Sequence, residues 1–342
     1  MAWTPYLSEC LQVLADNSAC TTDILLVHLV KGQLIYNQVM TVQWTKHTPN
    51  KDADNKVPHS FYVQLFTSQL EQFRQSLPED LKSNSMSHSS RLPAQNLTIF
   101  LVAIQLQMLN TAVAIHEHSL DGFPSSSDTL FHYKNQTQRT ESLWKCYEAV
   151  KSWFNIFYNA EIMPLAAWAD IPVMIYTQKS HCIVTLSRLS IFESIDTPWD
   201  RQRIQDELNF GDLVKRWLES WDRLPAECGW DVSMVGETEE NIWCYTKRLL
   251  SVIISWWEVR QASRAQTHAR ARREQEFAAE RPASAADAQA QQPLHFDVSD
   301  FPGFDFDFFG DESMRDIFGG ALEHFRDPPF PDLTGAMAID RL

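Results

Sequence analysis

Glycine is scarce in this sequence, ten residues in 342, against sixteen prolines. So few glycines leave little material for the tight turns of a β-sandwich or for loops whose bare backbone cradles a phosphate. Basic residues are in deficit as well: 29 Lys and Arg face 44 Asp and Glu, a formal charge of −15. A surface that grips nucleic acid draws its affinity from clustered cations that release counterions, so any DNA contact must be local or lie elsewhere. The cysteines Cys10, Cys20, Cys146, Cys182, Cys228 and Cys244 stand at least ten residues apart. Structural zinc sites commonly take two ligands from one tight turn, and no spacing here supplies that, so free buried thiols in a reducing compartment are expected.

Long apolar runs are missing too. Leu97 to Leu109 is interrupted by Gln105 and Gln107 and falls short of the roughly 20 residues that span a bilayer. Met1 to Leu11 has neither the basic start nor the apolar centre of a secretory signal. An intracellular chain without a membrane segment is the expectation. Catalytic signatures fare no better. His116-Glu117 opens like a zinc-protease helix, but position 120 is Leu, so the second histidine of HExxH is absent. No two aspartates are adjacent and no serine elbow or glycine-rich loop occurs, which disfavours an enzyme.

What is present is apolar mass at helical spacing. Hydrophobic residues make up 44% and aromatics 12%, including twelve tryptophans, enough to bury one sizeable core. Two helices are predicted between Leu7 and Trp44, the second starting near Thr22-Asp23. A third covers Tyr62 to Gln75, with Leu65, Phe66, Gln69, Leu70 and Phe73 along one stripe. Asn96 is read as the cap of an apolar helix reaching His116, central because it is apolar nearly all round. Leu143, Trp144, Tyr147, Val150, Trp153, Phe154 and Phe157 place a helix over about Arg139 to Tyr158. Pro164 is read as opening a long helix through Ile191 with Pro172 a kink. Further helices carry Trp217 and Trp221, and then run from Glu237 to Val259. No segment alternates with period two, so the body is predicted to be all-α.

Composition breaks after Val259. Residues 260–294 are rich in Arg, Ala and Gln and read as a helix extension and linker. Arg270, Arg272 and Arg273 within them are a candidate nuclear import signal, with a solvated helix face as the plainer reading. Residues 295–342 hold eleven acidic residues against Arg315, Arg326 and Arg341, a net −8. Phe296, Phe301, Phe304, Phe306, Phe308 and Phe309 interleave with Asp297, Asp300, Asp305 and Asp307. Mutually repelling, hydrated carboxylates keep such rings from collapsing together and leave them available to a partner's apolar groove. Ile317 and Phe318 lie at helical spacing with Met314 and Leu322, a short amphipathic helix in waiting. This predicts a disordered acidic tail that recruits a partner; an arm docked on the body and an inert tail are the alternatives.

Four short motifs in order carry a family resemblance: Ile115-His116-Glu117 after an apolar helix, Ser142-Leu143-Trp144-Lys145-Cys146 opening the next, Leu186-Ser187-Arg188-Leu189, and Thr197-Pro198-Trp199-Asp200. Over residues 1–258 the chain resembles the regulatory, or middle homology, domain of fungal binuclear zinc cluster transcription factors. The resemblance implies a multi-helix regulatory domain in a nuclear regulator of RNA polymerase II genes, followed by an acidic activation segment. It implies transcriptional coactivators as partners, a homodimer of the body as a further candidate, and no membrane. The family's zinc belongs to an N-terminal six-cysteine module with two CxxC pairs, for which this sequence has no counterpart, so no metal or cofactor is expected in this chain. DNA would then be reached through a module missing from it or through a partner protein, in a truncated or a zinc-cluster-less member of the family. A helical adaptor and a small-molecule sensor without DNA binding of its own are the competing readings.

Overall fold

The computed structural model describes residues 3–17, 21–47, 59–77, 94–120, 129–193, 199–230 and 242–279. Among the described residues every regular element is helical: α1 (Pro5–Asp16), α2 (Thr21–His47), α3 (His59–Ser76), α4 (Ala94–His116), α5 (Thr129–Phe157), α6 (Val173–Ile191), α7 (Arg201–Glu207), α8 (Phe210–Glu227) and α9 (Ile242–Ala279). Short 3-10 turns, Glu117–Leu120 and Leu165–Ala169, follow α4 and precede α6. The body is all-α, as its periodicity predicts.

Local chemistry sets the helix starts. Thr4 accepts the Leu7 amide at 3.4 Å and Pro5 fills the first turn of α1, where a missing N–H costs nothing. Asp200 accepts the Arg203 amide at 3.0 Å to open α7, and Asn209 accepts that of Asp212 at 3.2 Å to open α8. At the end of α8 the chain turns through Gly229 at φ 66°, a left-handed conformation that suits glycine. Three expectations are corrected. Asn96 lies inside the first turn of α4 and does not precede it. Pro164 opens only the 3-10 turn, and Pro172 sits immediately before α6 and starts it rather than kinking it. The helix extension expected past Val259 is present and reaches Ala279, because Ala, Arg, Gln and Glu all favour helix where no packing is demanded.

α4 is the centre, packed against α2, α3, α5 and α6. Gln105 and Gln107 do not interrupt it: Thr98–Leu120 is 23 residues with mean hydropathy 1.8, long and apolar enough to cross a membrane, contrary to the shorter stretch expected. Its surroundings are protein: Leu106, Val113 and Ala114 are fully buried, and so are its polar residues Gln107, Asn110 and Thr111. Beside it, α5 contributes Leu143, Tyr147, Val150, Trp153 and Phe157, all fully buried along one face at three- and four-residue steps. Val39, Phe66, Ala114 and Ile115 form a second cluster where α2, α3 and α4 meet.

The described chain divides into Met1–Ser255 and Trp256–Leu342, with the division falling inside α9. In the second unit, Arg260 lies over the Trp256 ring, 5.6 Å from its centroid.

Gly32 fixes how closely α2 approaches α4. A Cβ there would stand 3.2 Å from Cγ of Gln107 and 3.5 Å from the Phe73 ring. Gln107 cannot swing away freely, because its side-chain oxygen accepts a short hydrogen bond from Gln178 on α6. Gly32→Leu should therefore cost about 1–3 kcal/mol by overpacking, read by urea unfolding of the full chain. An unchanged midpoint would mean that α2 is free to back away.

Candidate functional site

Three of the four motifs, far apart in sequence, meet where α4, α5 and α6 converge, and the fourth lies beside them. α4 ends at His116, and the 3-10 turn that follows directs Glu117 inward, where it is 4% exposed. The Glu117 carboxylate accepts from Thr185 Oγ1 at 3.2 Å, and the same oxygen lies 2.9 Å from His181 Nε2. His181 Nδ1 is 2.8 Å from Asn110 Oδ1, which carries the network back to α4. One residue earlier, His116 Nδ1 lies 2.9 Å from Ser142 Oγ on α5. Cys146 and Cys182 are buried on either side, their thiols reaching Val113 O and Asn110 Oδ1 at 3.8 Å.

Burial alone would raise the Glu117 pKa, since it penalises the charged form. The charge and hydrogen bond of His181, with the charges of Arg188 and His118, outweigh it and hold the group at about 2. His116 moves the other way for a base: burial, helped by the charge of Lys145, lowers it to about 4. Burial raises both neighbouring thiols well above the usual range, and Glu117 adds to it, so neither is poised as a nucleophile.

Arg188 of the third motif thus supports Glu117 electrostatically, and Leu189 supplies a carbonyl to the fourth: Trp199 Nε1 donates to Leu189 O at 2.9 Å. The Trp199 ring meets Trp144 of the second motif with centroids 4.6 Å apart, and Arg203 lies over the other ring 4.6 Å from its centroid. Arg203 also holds Glu207 at 2.7 Å, and Glu207 takes Lys151 at 2.6 Å and the Tyr147 hydroxyl at 3.2 Å. Those hydrogen bonds, Arg203 first and Lys151 next, keep the Glu207 carboxyl near 2 and latch α7 onto α5.

Such an arrangement fixes helices to one another. Glu117 is buried against two partners on α6, one of which is tied in turn to α4, and this leaves the carboxylate closed to solvent. Among the described residues no group of three His, Cys, Asp or Glu is placed to hold a metal ion. Of the residues singled out from sequence, Arg270, Arg272 and Arg273 lie exposed on α9. Phe296, Phe301, Phe304, Phe306, Phe308, Phe309, Ile317 and Phe318 lie outside the described residues. His181, Thr185 and Asn110 escaped the sequence reading. Their signal was polar side chains inside otherwise apolar helices, which implies hydrogen-bonded partners but does not say which.

A family model described as a C-terminal domain matches residues 165–323. Transcription factor opdL of Penicillium oxalicum is 25% identical over 207 residues, 60% of this chain and 31% of that protein. A transcription factor of Aspergillus terreus is 24% identical over 225 residues, 65% of this chain and 35% of the relative. Over 60–65% of its length the chain is thus similar to part of two fungal transcription factors. The chain spans about a third of the length of these relatives. No solved structure matches it.

The helical body should be acid-labile for a definite reason. Glu117 has a lower pKa folded than unfolded, so between 4.5 and about 2 the unfolded chain binds the extra proton and stability falls as pH falls. His116, lowered from 6.5 to about 4, does the same across that higher window. Each shift corresponds to roughly 3 kcal/mol at its acid limit. Urea unfolding should show stability declining from pH 6.5 downward, with a shallower decline below pH 4.5 in Glu117→Gln. A flat profile from pH 7 to 3.5 would contradict the assignment.

Proposed function

We propose that this protein is a nuclear transcriptional regulator of RNA polymerase II genes, in which the helical domain controls an acidic activation tail. The observation that carries the reading is similarity over 60–65% of the chain to two proteins named transcription factors, in a sequence whose last 48 residues interleave phenylalanine with carboxylate. The body supports it by what it is built to do. Its buried polar groups tie helices together and leave a rigid platform, which suits regulation by contact better than catalysis. The relatives are transcription factors and not enzymes, which fits a non-enzymatic role.

In this reading Phe304, Phe306, Phe308 and Phe309 dock into an apolar groove of a transcriptional coactivator while the acids keep them hydrated beforehand. Ordering the segment costs about 2–5 kcal/mol, so the contact is modest and exchanges quickly. Arg270, Arg272 and Arg273 serve in this reading as the signal for a nuclear import receptor, and their exposure supports it. DNA is reached through a separate zinc-cluster module or a partner protein, and the body pairs with a second copy.

The test is a reporter assay with the full chain fused to an unrelated DNA-binding domain. Replacing Phe304, Phe306, Phe308 and Phe309 together by Ala should reduce activation about tenfold or more while the melting temperature of the body stays within a degree or two. Undiminished activation would remove the tail from the mechanism. A large drop in melting temperature would show instead that the rings belong to the body's core.

A further inference from the structure

Lys179 on α6 is fully buried, and its Nζ has no hydrogen-bond partner. Four rings close around the amine, with centroids at 4.2 Å for Trp217, 4.4 Å for Trp168, 4.6 Å for Phe157 and 5.0 Å for Tyr158. Burial, and next the charge of Arg216, holds this amine well below the ordinary lysine range. Three of the same residues add buried donors that meet no acceptor: Tyr158 Oη, Trp168 Nε1 and Trp217 Nε1. A buried donor left unsatisfied costs about 1–3 kcal/mol. All four atoms are closed to solvent, so they belong to a sealed aromatic floor around Lys179 rather than to an open binding surface.

Tyr158 and Trp168 also face a cavity of about 360 Å³ between the end of α5, the 3-10 turn and α8, together with Met163, Arg216, Ser220 and Arg223. That volume is in the range of small-molecule sites. Arg216 lies over the Tyr158 ring, 4.3 Å from its centroid, and donates Nη2 to Tyr158 O at 3.1 Å. Its guanidinium is therefore already positioned, with its remaining donors available for a planar anion. Of the two carboxylates on the rim, Glu227 is engaged by Arg223 at 2.8 Å, which leaves Glu219 against a surplus of donors.

We propose that this cavity binds a small aromatic carboxylic acid, its ring against Tyr158 and Trp168 and its carboxylate on Arg216. An aromatic body matches the wall, where offset or edge-on ring contacts add to apolar burial. A carboxylate brings acceptor oxygens, and a cationic or purely apolar ligand brings none. The site is independent of the acidic tail, so its occupancy is testable whether or not the tail activates transcription.

Three probes sharing one ring decide the matter on the full chain: 1-naphthoate, 1-naphthalenemethanol and 1-naphthylmethylamine, each titrated by calorimetry and thermal melting. The acid should raise the melting temperature in a dose-dependent way and bind about tenfold or more tightly than the alcohol, with the amine weakest. Arg216→Ala should weaken the acid about tenfold and leave the alcohol unchanged. Ser220→Phe, which fills the cavity from α8, should abolish binding of the acid without lowering the melting temperature of the free protein. The proposal is overturned if millimolar naphthoate shifts nothing, if acid and alcohol bind equally, or if both variants bind naphthoate as the parent does.

Discussion

A carboxylate buried at the junction of three helices is the constraint on which the rest of this structure depends. Glu117 is almost wholly removed from water, a cost that becomes prohibitive unless the charge is paired and hydrogen-bonded. Thr185 and His181 of α6 meet it directly, and Asn110 of α4 closes the circuit through the histidine. Removing any one partner leaves a buried polar group unmet, so the crossing of α4 and α6 tolerates little sliding. Apolar packing alone would not impose this, since side chains of similar volume can settle into more than one register.

That constraint explains why an apolar helix of membrane-spanning length is at home inside a protein. Gln107, Asn110, Thr111 and Glu117 recur along or just beyond α4, and their contacts reach α6, with Gln178 answering Gln107 and His181 answering Asn110. α5 then lays an almost unbroken aromatic and aliphatic face beside it, where Trp153 and Phe157 stack with centroids 5.0 Å apart. Trp144 and Trp199 extend the same assembly outward towards α7.

Much of this was legible in the sequence, for reasons that separate the local from the long-range. Helical periodicity located α3 and α5 and excluded strands, because spacing along one chain reports which face is apolar. The ordered motifs pointed to fungal transcription factors, to two of which the chain is similar. Helix starts were read less well: Asn96 offered a plausible cap, yet α4 begins at Ala94, and the prolines at 164 and 172 divide what spacing had joined into one helix. Least legible were the partners. His181 and Thr185 look like polar interruptions of an apolar helix until a carboxylate 64 and 68 residues away is placed beside them. Lys179 looks like an ordinary surface lysine until Trp168 and Trp217 close over it. Pairings of that separation follow from the packing of whole helices, and no local spacing encodes them.

The central claim is that Glu117 and His181 stabilise the domain jointly. A double-mutant cycle with Glu117→Gln and His181→Phe, read by urea unfolding of the full chain at pH 7, measures this most directly. The account predicts a coupling energy of about 1.5 kcal/mol or more, with each single variant nearly as unstable as the double. Additive losses, with coupling near zero, would mean that the two side chains are neighbours without being partners, and the junction would owe its geometry to apolar packing alone.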